Sequence, residues 1–213
     1  MSRKAAGQGD DAAREASTSR PVRADAQRNT DALLEAALAV FTASGVDAPV
    51  REIAEKAGVG IGTFYRHFPQ RADLVAAVFR REIDACADAA PVLAAEHTPG
   101  EALARWMQRY AAFIAAKRGL AKVLHSGDPA FDNLPGYFDQ RLRPAFRSLL
   151  NAAVAAGEVR ADADADDLLG AVASLCMSPN AGAGRAERMV ALLIDGLRHG
   201  ASPSVNARLP GAG

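Results

Sequence analysis

The sequence predicts an all-α fold, with a small N-terminal helix-turn-helix domain followed by a larger helical domain. Apolar residues recur three and four positions apart in one segment after another, which is the spacing of an amphipathic helix. Two short segments of this kind, Val50 to Ala57 and Ile61 to Phe68, flank Gly58. Two short helices joined by a glycine-containing turn are typical of a helix-turn-helix. No alternating pattern of convincing strand length is present.

The composition excludes several classes of protein. The chain has 213 residues, with 25 basic and 25 acidic side chains. This balance excludes a protein that binds nucleic acid through an overall positive charge. Any DNA affinity must come from basic residues placed at the binding surface and from two copies of the chain. Cys86 and Cys176 form no C-x-x-C pair, which predicts two buried thiols. No export signal and no bilayer-spanning apolar run is visible, so we expect a cytoplasmic protein without a membrane partner.

The N-terminal part of the sequence predicts a helix that packs against the back of the helix-turn-helix. Residues 1–24 lack large apolar side chains and are predicted to be a disordered basic arm, which either contacts DNA phosphates or is a solvated tail. From Asp25 to about Ser44 an apolar stripe predicts a helix that ends at Gly45. Its members are Leu33, Leu34, Ala37, Leu38 and Phe41.

The second motif helix predicts a surface that reads DNA. Phe64 and Phe68 are four apart, so both belong to the buried side. The remaining side chains carry hydrogen-bonding groups and point outward: Thr63, Tyr65, Arg66 and His67. Gly60 and Gly62 stand at the start, where a missing side chain lets a phosphate backbone approach closely. Recognition helices contact base edges with their N-terminal residues.

The rest of the chain predicts further helices. A helix from Arg71 to about Ala90 is expected to transmit movement between the helical body and the DNA-binding domain. The residues from Thr98 to Glu101 are interpreted as a capping box at the start of the next helix. The predicted body helices are Glu101 to Arg118, a short one from Gly119 to His125, Pro135 to Gly157, Asp166 to Cys176 and Ala186 to His199. Residues 201–213 are predicted to be a flexible tail.

The last two helices are apolar on more than one face. A helix with two apolar faces must bury both, and a second subunit is one way to do so.

Catalytic and metal sites are not predicted. Asp162, Asp164 and Asp166 imitate the opening of a calcium loop, but Asp167 stands where that loop needs glycine and Ala173 where it needs glutamate. We therefore interpret these aspartates as helix caps. The histidines are scattered and neither cysteine lies in a catalytic signature, so we expect no enzyme and no cofactor.

Residues 28–79 resemble the DNA-binding domain of the TetR family of transcriptional repressors. The resemblance rests on Gly45, the run R-E-I-A-E-K-A-G-V and the run G-T-F-Y-R-H-F. It implies DNA contacts at Arg51, Gly62, Thr63, Tyr65, His67 and Arg71. Val50 and Ile61 depart from the family, since relatives carry polar residues at these positions, and this leaves the operator sequence open.

The resemblance also implies the organisation of the whole chain. It implies a DNA-binding domain over residues 25–70, a ligand-binding and dimerisation domain over residues 71–200, and a homodimer joined by the last two helices on a pseudo-palindromic DNA operator. A small-molecule effector would bind between body helices. Candidate ligand residues are Trp106, Arg109, Tyr110, Phe113, His125, Phe138 and Arg141. The alternative is a DNA-binding dimer whose core is filled and takes no ligand.

Overall fold

The structure is a computed structural model that describes residues 10–117, 126–178 and 184–199, with only the backbone described at 10–24 and 117. Within these ranges every regular element is helical, which confirms the all-α prediction. The helices are α1 (Asp10–Ser44), α2 (Val50–Lys56), α3 (Ile61–His67), α4 (Arg71–Glu96), α5 (Pro99–Lys117), a 3₁₀ turn (Pro129–Phe131), α6 (Leu134–Ala155), α7 (Ala165–Met177) and α8 (Arg185–Arg198). No helix of the described ranges is long and apolar enough to cross a membrane.

Two helices are longer than the sequence predicted. Helix α1 begins at Asp10, so the prediction of a disordered arm is corrected over residues 10–24. Eight of its fifteen residues are Ala, Arg or Glu, and it extends a helix that is anchored further along and needs no new nucleus, so the helix forms in spite of Pro21. Helix α4 continues past Pro91 to Glu96, because the lost hydrogen bond is a single one and helix-forming residues follow.

The described chain divides into two compact units. The first takes in the residues up to Val78 together with Asp128–Phe131, and the second takes in the remainder. The division therefore falls inside α4, whereas the predicted domain boundary between residues 70 and 71 coincides with the start of α4. The predicted helix from Gly119 to His125 and the predicted tail lie outside the described residues.

In the first unit, α1, α2 and α3 share one small core. Leu33 of α1 and Ile53 of α2 are fully buried, and Phe64 of α3 is nearly so. Gly58 closes α2 with a φ of 69°, a left-handed conformation that glycine adopts without strain. The turn between α2 and α3 therefore has the residue that it needs, and the two short helices form as predicted.

In the second unit, α5 lies in the centre and packs against α6, α7 and α8. Its first turn is capped from a distant part of the chain. The Glu158 carboxylate accepts hydrogen bonds from the Gly100 N–H (2.9 Å) and from the Thr98 hydroxyl (3.1 Å). The start of α5 at Pro99 agrees with the sequence, but Glu158 caps it, in place of the predicted pairing of Thr98 with Glu101.

The other predicted cap is confirmed. The Asp164 side chain accepts from the N–H groups of Asp166 (2.8 Å) and Asp167 (3.0 Å) at the start of α7. These hydrogen bonds to the charged carboxylate lower the pKa of Asp164. Cys86 and Cys176 are both buried thiols outside any disulfide, as predicted, and burial raises the pKa of Cys86 to about 12.

Candidate nucleic-acid interface

Helix α3 has one buried side and one open side. Phe64 is 1% exposed, and Phe68, which follows the helix, is also buried. Next to this buried side, Tyr65 is 52% exposed and Ile61 is 46% exposed, and the Tyr65 ring lies edge-on to Phe64 with centroids 5.4 Å apart. A helix of seven residues with one buried side chain contributes little to the core. Its open side is therefore available for contacts with another molecule.

Gly60 and Gly62 leave free space at the beginning of this helix. Gly60 precedes the first residue of α3 with extended backbone angles, φ −69° and ψ 146°, that any residue can adopt. A Cβ built on either glycine meets no atom of the chain within 4 Å. Packing within the chain therefore does not require glycine at these two positions, and the open space can admit the backbone of a second molecule.

Two of the six predicted DNA contacts are bound within the chain. The His67 Nδ1 atom and the Thr30 hydroxyl of α1 are hydrogen-bonded at 3.1 Å. The Arg71 guanidinium donates to the carbonyl oxygen of Ala48 at 2.8 Å and also to that of Val46. Arg71 thereby fixes the loop between α1 and α2 against the start of α4.

The other four predicted contacts have no such role. Arg51 is exposed on α2, while Gly62 and Tyr65 are exposed and Thr63 is half-buried on α3. All four belong to the first unit. Sequence reasoning missed Thr30, Val46 and Ala48 as partners, because a carbonyl or hydroxyl partner far along the chain leaves no local signal.

The aromatic ligand candidates form one packed cluster in the second unit. The Trp106 ring stacks on Tyr110 with centroids 5.5 Å apart and on Phe146 at 5.2 Å. Phe138 lies 6.1 Å from Tyr110 and 6.5 Å from Phe113. The Trp106 indole N–H donates to the Cys86 carbonyl oxygen at 2.8 Å. Burial raises the pKa of Tyr110.

The polar ligand candidates have different surroundings. Arg109 is exposed and His125 lies outside the described residues. Arg141 donates to Asp84 and Asp88 of α4, at 2.7 Å in each case, and the Tyr137 hydroxyl donates to the same Asp84 at 2.6 Å. The hydrogen bond to Asp84 raises the pKa of Tyr137, and the bonds to Asp84 and Asp88 raise that of Arg141. This network, which we call the Asp84 clamp, ties α6 to α4.

A groove of about 300 Å³ lies elsewhere, between α5 and α8. Charged and polar side chains line much of it, among them Glu101, Arg105, Gln108, Asp195 and Arg198. None of the predicted ligand residues is among its lining residues. Sequence reasoning missed it, because each of these positions read simply as the solvent face of an amphipathic helix.

The last two described helices keep apolar side chains on their surface. Leu192 of α8 is 63% exposed, and Met189 of α8 and Met177 of α7 are also exposed. The other face of α8 buries Val190, Ile194 and Leu197. Helix α8 therefore has apolar residues on two faces, as its sequence indicated.

The comparisons with known proteins agree with this architecture. A family profile described as "Bacterial regulatory proteins, tetR family" matches residues 33–78, and one described as "Transcriptional regulator SbtR-like, C-terminal domain" matches residues 98–199. Over 64 residues the chain is 38% identical to an HTH-type transcriptional regulator of Staphylococcus aureus strain USA300. That match covers 30% of this chain and spans 35% of the length of the relative.

Two solved structures are similar over most of their length. A TetR transcriptional regulator from Streptomyces coelicolor is 38% identical, with a TM-score of 0.69, and the match covers 79% of this chain and 98% of that one. A TetR transcription regulatory protein from Mycobacterium vanbaalenii is also 38% identical, with a TM-score of 0.65 and coverage of 84% and 99%. Each of these relatives is described as a transcriptional regulator or a transcription regulatory protein. With a matching helix-turn-helix, a matching body and two solved structures aligned over nearly their whole length, this chain belongs to the TetR family of transcriptional regulators.

Proposed function

We propose that the chain is a homodimeric repressor that binds a pseudo-palindromic operator through α3 and is released by a small molecule bound in the helical body. Regulators of the TetR family bind DNA operators and dimerise. The observation that carries the proposal is the open side of α3. It combines an exposed tyrosine with two glycines that intrachain packing does not require.

The outward residues of the first unit suit a DNA surface. The Tyr65 hydroxyl can donate to a phosphate or a base edge, and Thr63 offers a hydroxyl and a methyl group. Arg51 adds a cation that can neutralise a phosphate. Gly62 lets the sugar-phosphate backbone come close to the helix backbone.

His67 and Arg71 have a supporting role in this proposal. Each is bonded inside the unit, His67 to α1 and Arg71 to the loop that precedes α2. A guanidinium has five N–H donors, so Arg71 retains donors for a phosphate after it has bound two carbonyl oxygens. Its main contribution would be to hold α2 and α3 in position.

The exposed apolar residues of α7 and α8 support dimerisation through these helices. Met177, Met189 and Leu192 lose contact with water if a second copy packs on them, and burying a leucine side chain contributes about 1.5–3 kcal/mol. A two-fold dimer would present two copies of α3 to major grooves about one helical turn of DNA apart. Because both copies bind together, individually weak contacts add up to a specific complex.

The effector would act on the aromatic cluster and the Asp84 clamp. The half-buried Phe138 lies at the edge of the cluster, and Arg141 and Tyr137 of the clamp belong to the same helix α6. A molecule that separates these rings would favour a different arrangement of α4 and α6. A preference of about 1–3 kcal/mol between the two arrangements is enough to change DNA affinity 5- to 150-fold.

A second candidate is a DNA-binding dimer that takes no small molecule. Trp106 is fully buried, and its ring stacks on both Tyr110 and Phe146, so this part of the body is packed without a ligand. A filled aromatic core of this kind is an ordinary structural core.

The role of α3 in binding DNA is tested by Tyr65→Ala, with Val92→Ala on α4 as the control. The side chains of Tyr65 and Val92 are each 52% exposed. Both side chains are more than half exposed, so both variants should keep the helical circular dichroism, and Tyr65→Ala should lower the unfolding midpoint slightly because it loses the edge-on contact with Phe64. We expect Tyr65→Ala to bind the operator roughly tenfold or more weakly in fluorescence anisotropy, which corresponds to about 1.4 kcal/mol. The control should bind as the wild type does. Equal binding by both variants would refute α3 as the reader.

The two candidates differ in their response to small molecules. Trp106 is the only tryptophan of the chain, so its fluorescence reports directly on the aromatic cluster. A screen of apolar and aromatic compounds should give one that shifts this emission, raises the melting temperature and dissociates the operator complex. If no compound changes the emission or the operator affinity, the second candidate stands.

A further inference from the structure

Ile61, the first residue of α3, is a large apolar side chain that is left exposed beside the proposed DNA contacts Gly62 and Thr63. It is 46% exposed and stands four residues before Tyr65, so the two side chains lie on the same face of α3. In a helix of seven residues, two exposed large apolar side chains form a patch and are not isolated surface residues. Phe64 is the helix residue that enters the core, so Ile61 is not needed there.

The surroundings of Ile61 are open. Gly60 and Gly62 flank it, and a Cβ at either position would meet nothing within 4 Å. The two positions adjacent to Ile61 in the sequence therefore carry no side chain that could block an approach to it. A flat edge, such as that of a base pair, could reach it without steric conflict.

The chemistry of Ile61 selects one partner on DNA. An isoleucine side chain can neither donate nor accept a hydrogen bond, so it cannot read the polar atoms of a base. In the major groove the apolar group of a base pair is the 5-methyl group of thymine. We propose that Ile61 packs on a thymine 5-methyl group in each half-site and so specifies an A·T pair there; this inference rests on the proposed DNA-reading function.

The charges around the patch favour DNA over an apolar protein partner. Arg51 of α2 and Arg66 of α3 are both exposed in the same unit. Cations in the same unit as an apolar patch would lose hydration if an apolar protein surface covered them, whereas a duplex offers phosphates for the cations and methyl groups for the patch. The patch and its surroundings thus match the two kinds of group that line a major groove.

The experiment removes the methyl group from the DNA and the side chain from the protein. Each thymine of the operator obtained by selection is replaced in turn by deoxyuridine, which lacks only the 5-methyl group, and binding is measured for the wild type, Ile61→Ala and Ile61→Val. In the wild type we expect one symmetric position where the replacement weakens binding about fourfold per half-site, or roughly fifteenfold for both. Ile61→Ala should bind the thymine operator and its deoxyuridine counterpart at that position within about twofold of each other. Ile61→Val should retain most of the preference for thymine over deoxyuridine.

The outcomes separate this inference from the proposed function. If the wild type binds its operator but no deoxyuridine position depends on residue 61, the thymine contact is refuted and the proposed function stands. If Ile61→Ala leaves every DNA affinity unchanged but alters the mass of the protein in solution, Ile61 contacts protein and the inference is overturned. If the wild type selects no operator at all, both fail. Ile61→Val, which keeps a β-branched side chain, guards against a loss of folding in the alanine variant.

Discussion

At the residue scale, the six predicted DNA contacts fall into two groups. Gly62 is exposed, and Tyr65 is 52% exposed with its ring edge-on to Phe64, whereas the polar groups of His67 and Arg71 are hydrogen-bonded within the first unit. Helical periodicity directed Tyr65 and His67 away from the buried side of α3, whereas the contacts at Gly62 and Arg71 came from the family resemblance. Periodicity could not reveal that the carbonyl oxygens of Val46 and Ala48, in the loop before α2, accept hydrogen bonds from Arg71, since this depends on tertiary contacts.

Replacing Gly62 by alanine should separate stability from DNA binding. Position 62 has ordinary helical space and no contact for an added methyl group, so the protein should become about 0.5–1 kcal/mol more stable in urea unfolding. Operator binding should weaken roughly tenfold, because the methyl group would keep the DNA backbone away from the helix. Gly136→Ala in the first turn of α6, also without contacts, is the control that should gain stability and keep binding. Unchanged binding by Gly62→Ala would mean that DNA does not approach this glycine.

The role of Arg71 can be tested with Arg71→Lys. Lysine keeps the charge but cannot hold the carbonyl oxygens of Val46 and Ala48 together, so the free energy of unfolding should fall by about 1–2 kcal/mol. Arg66→Lys on the exposed face of α3 should change it by less than about 0.5 kcal/mol. If Arg71 served DNA alone, its variant would be as stable as the control and would differ only in the salt dependence of binding.

At the scale of elements, the sequence predicted the existence of helices better than their ends. Amphipathic stripes located α2, α3 and α5 to within two residues, because each stripe has a core to cover. Helix α1 extends beyond its stripe and α4 extends past Pro91, because neither the loss of an apolar pattern nor one proline outweighs the propensity of the neighbouring residues. The cap of α5 was misassigned, because Glu158 is distant in the sequence.

The cap of α5 can be tested by comparing the loss of stability when Glu158 or Glu101 is replaced by alanine. Glu158→Ala leaves the Gly100 N–H without its acceptor and should lower the free energy of unfolding by about 1 kcal/mol. Gly100→Ala should also be destabilising, because its Cβ would lie 2.7 Å from the Glu158 Oε2 atom. Glu101→Ala, by contrast, should be nearly neutral in urea unfolding. A large effect at Glu101 and none at Glu158 would restore the local capping box.

At the scale of the whole molecule, the resemblance and the apolar faces led to the same architecture. The all-α class, the helix-turn-helix and the helical body are confirmed, since each depends on patterns that repeat along the chain. The ligand site could not be located from the sequence, because the same aromatic stripe serves a packed core and a pocket equally well. The groove between α5 and α8 likewise depends on how two distant helices meet.

Dimerisation is tested by Leu192→Glu, at a side chain that is 63% exposed. A carboxylate at this position would have to lose its hydration in the proposed interface, so we expect monomers at micromolar concentration in sedimentation velocity and a large loss of operator binding. Val92→Glu on α4 introduces the same charge at another exposed apolar position and should remain a dimer. A dimeric Leu192→Glu variant with intact binding would place the interface elsewhere.

The most direct test of the repressor proposal is the selection of bound sequences from a random pool of double-stranded DNA, with the purified wild-type protein at near-physiological salt. We expect enrichment of an inverted repeat whose half-sites lie about one helical turn apart, since two copies of α3 must enter major grooves on one face of the duplex. Such a repeat would support the reader and the dimer together. Failure to enrich any sequence, or enrichment of a single half-site without symmetry, would contradict the homodimeric repressor.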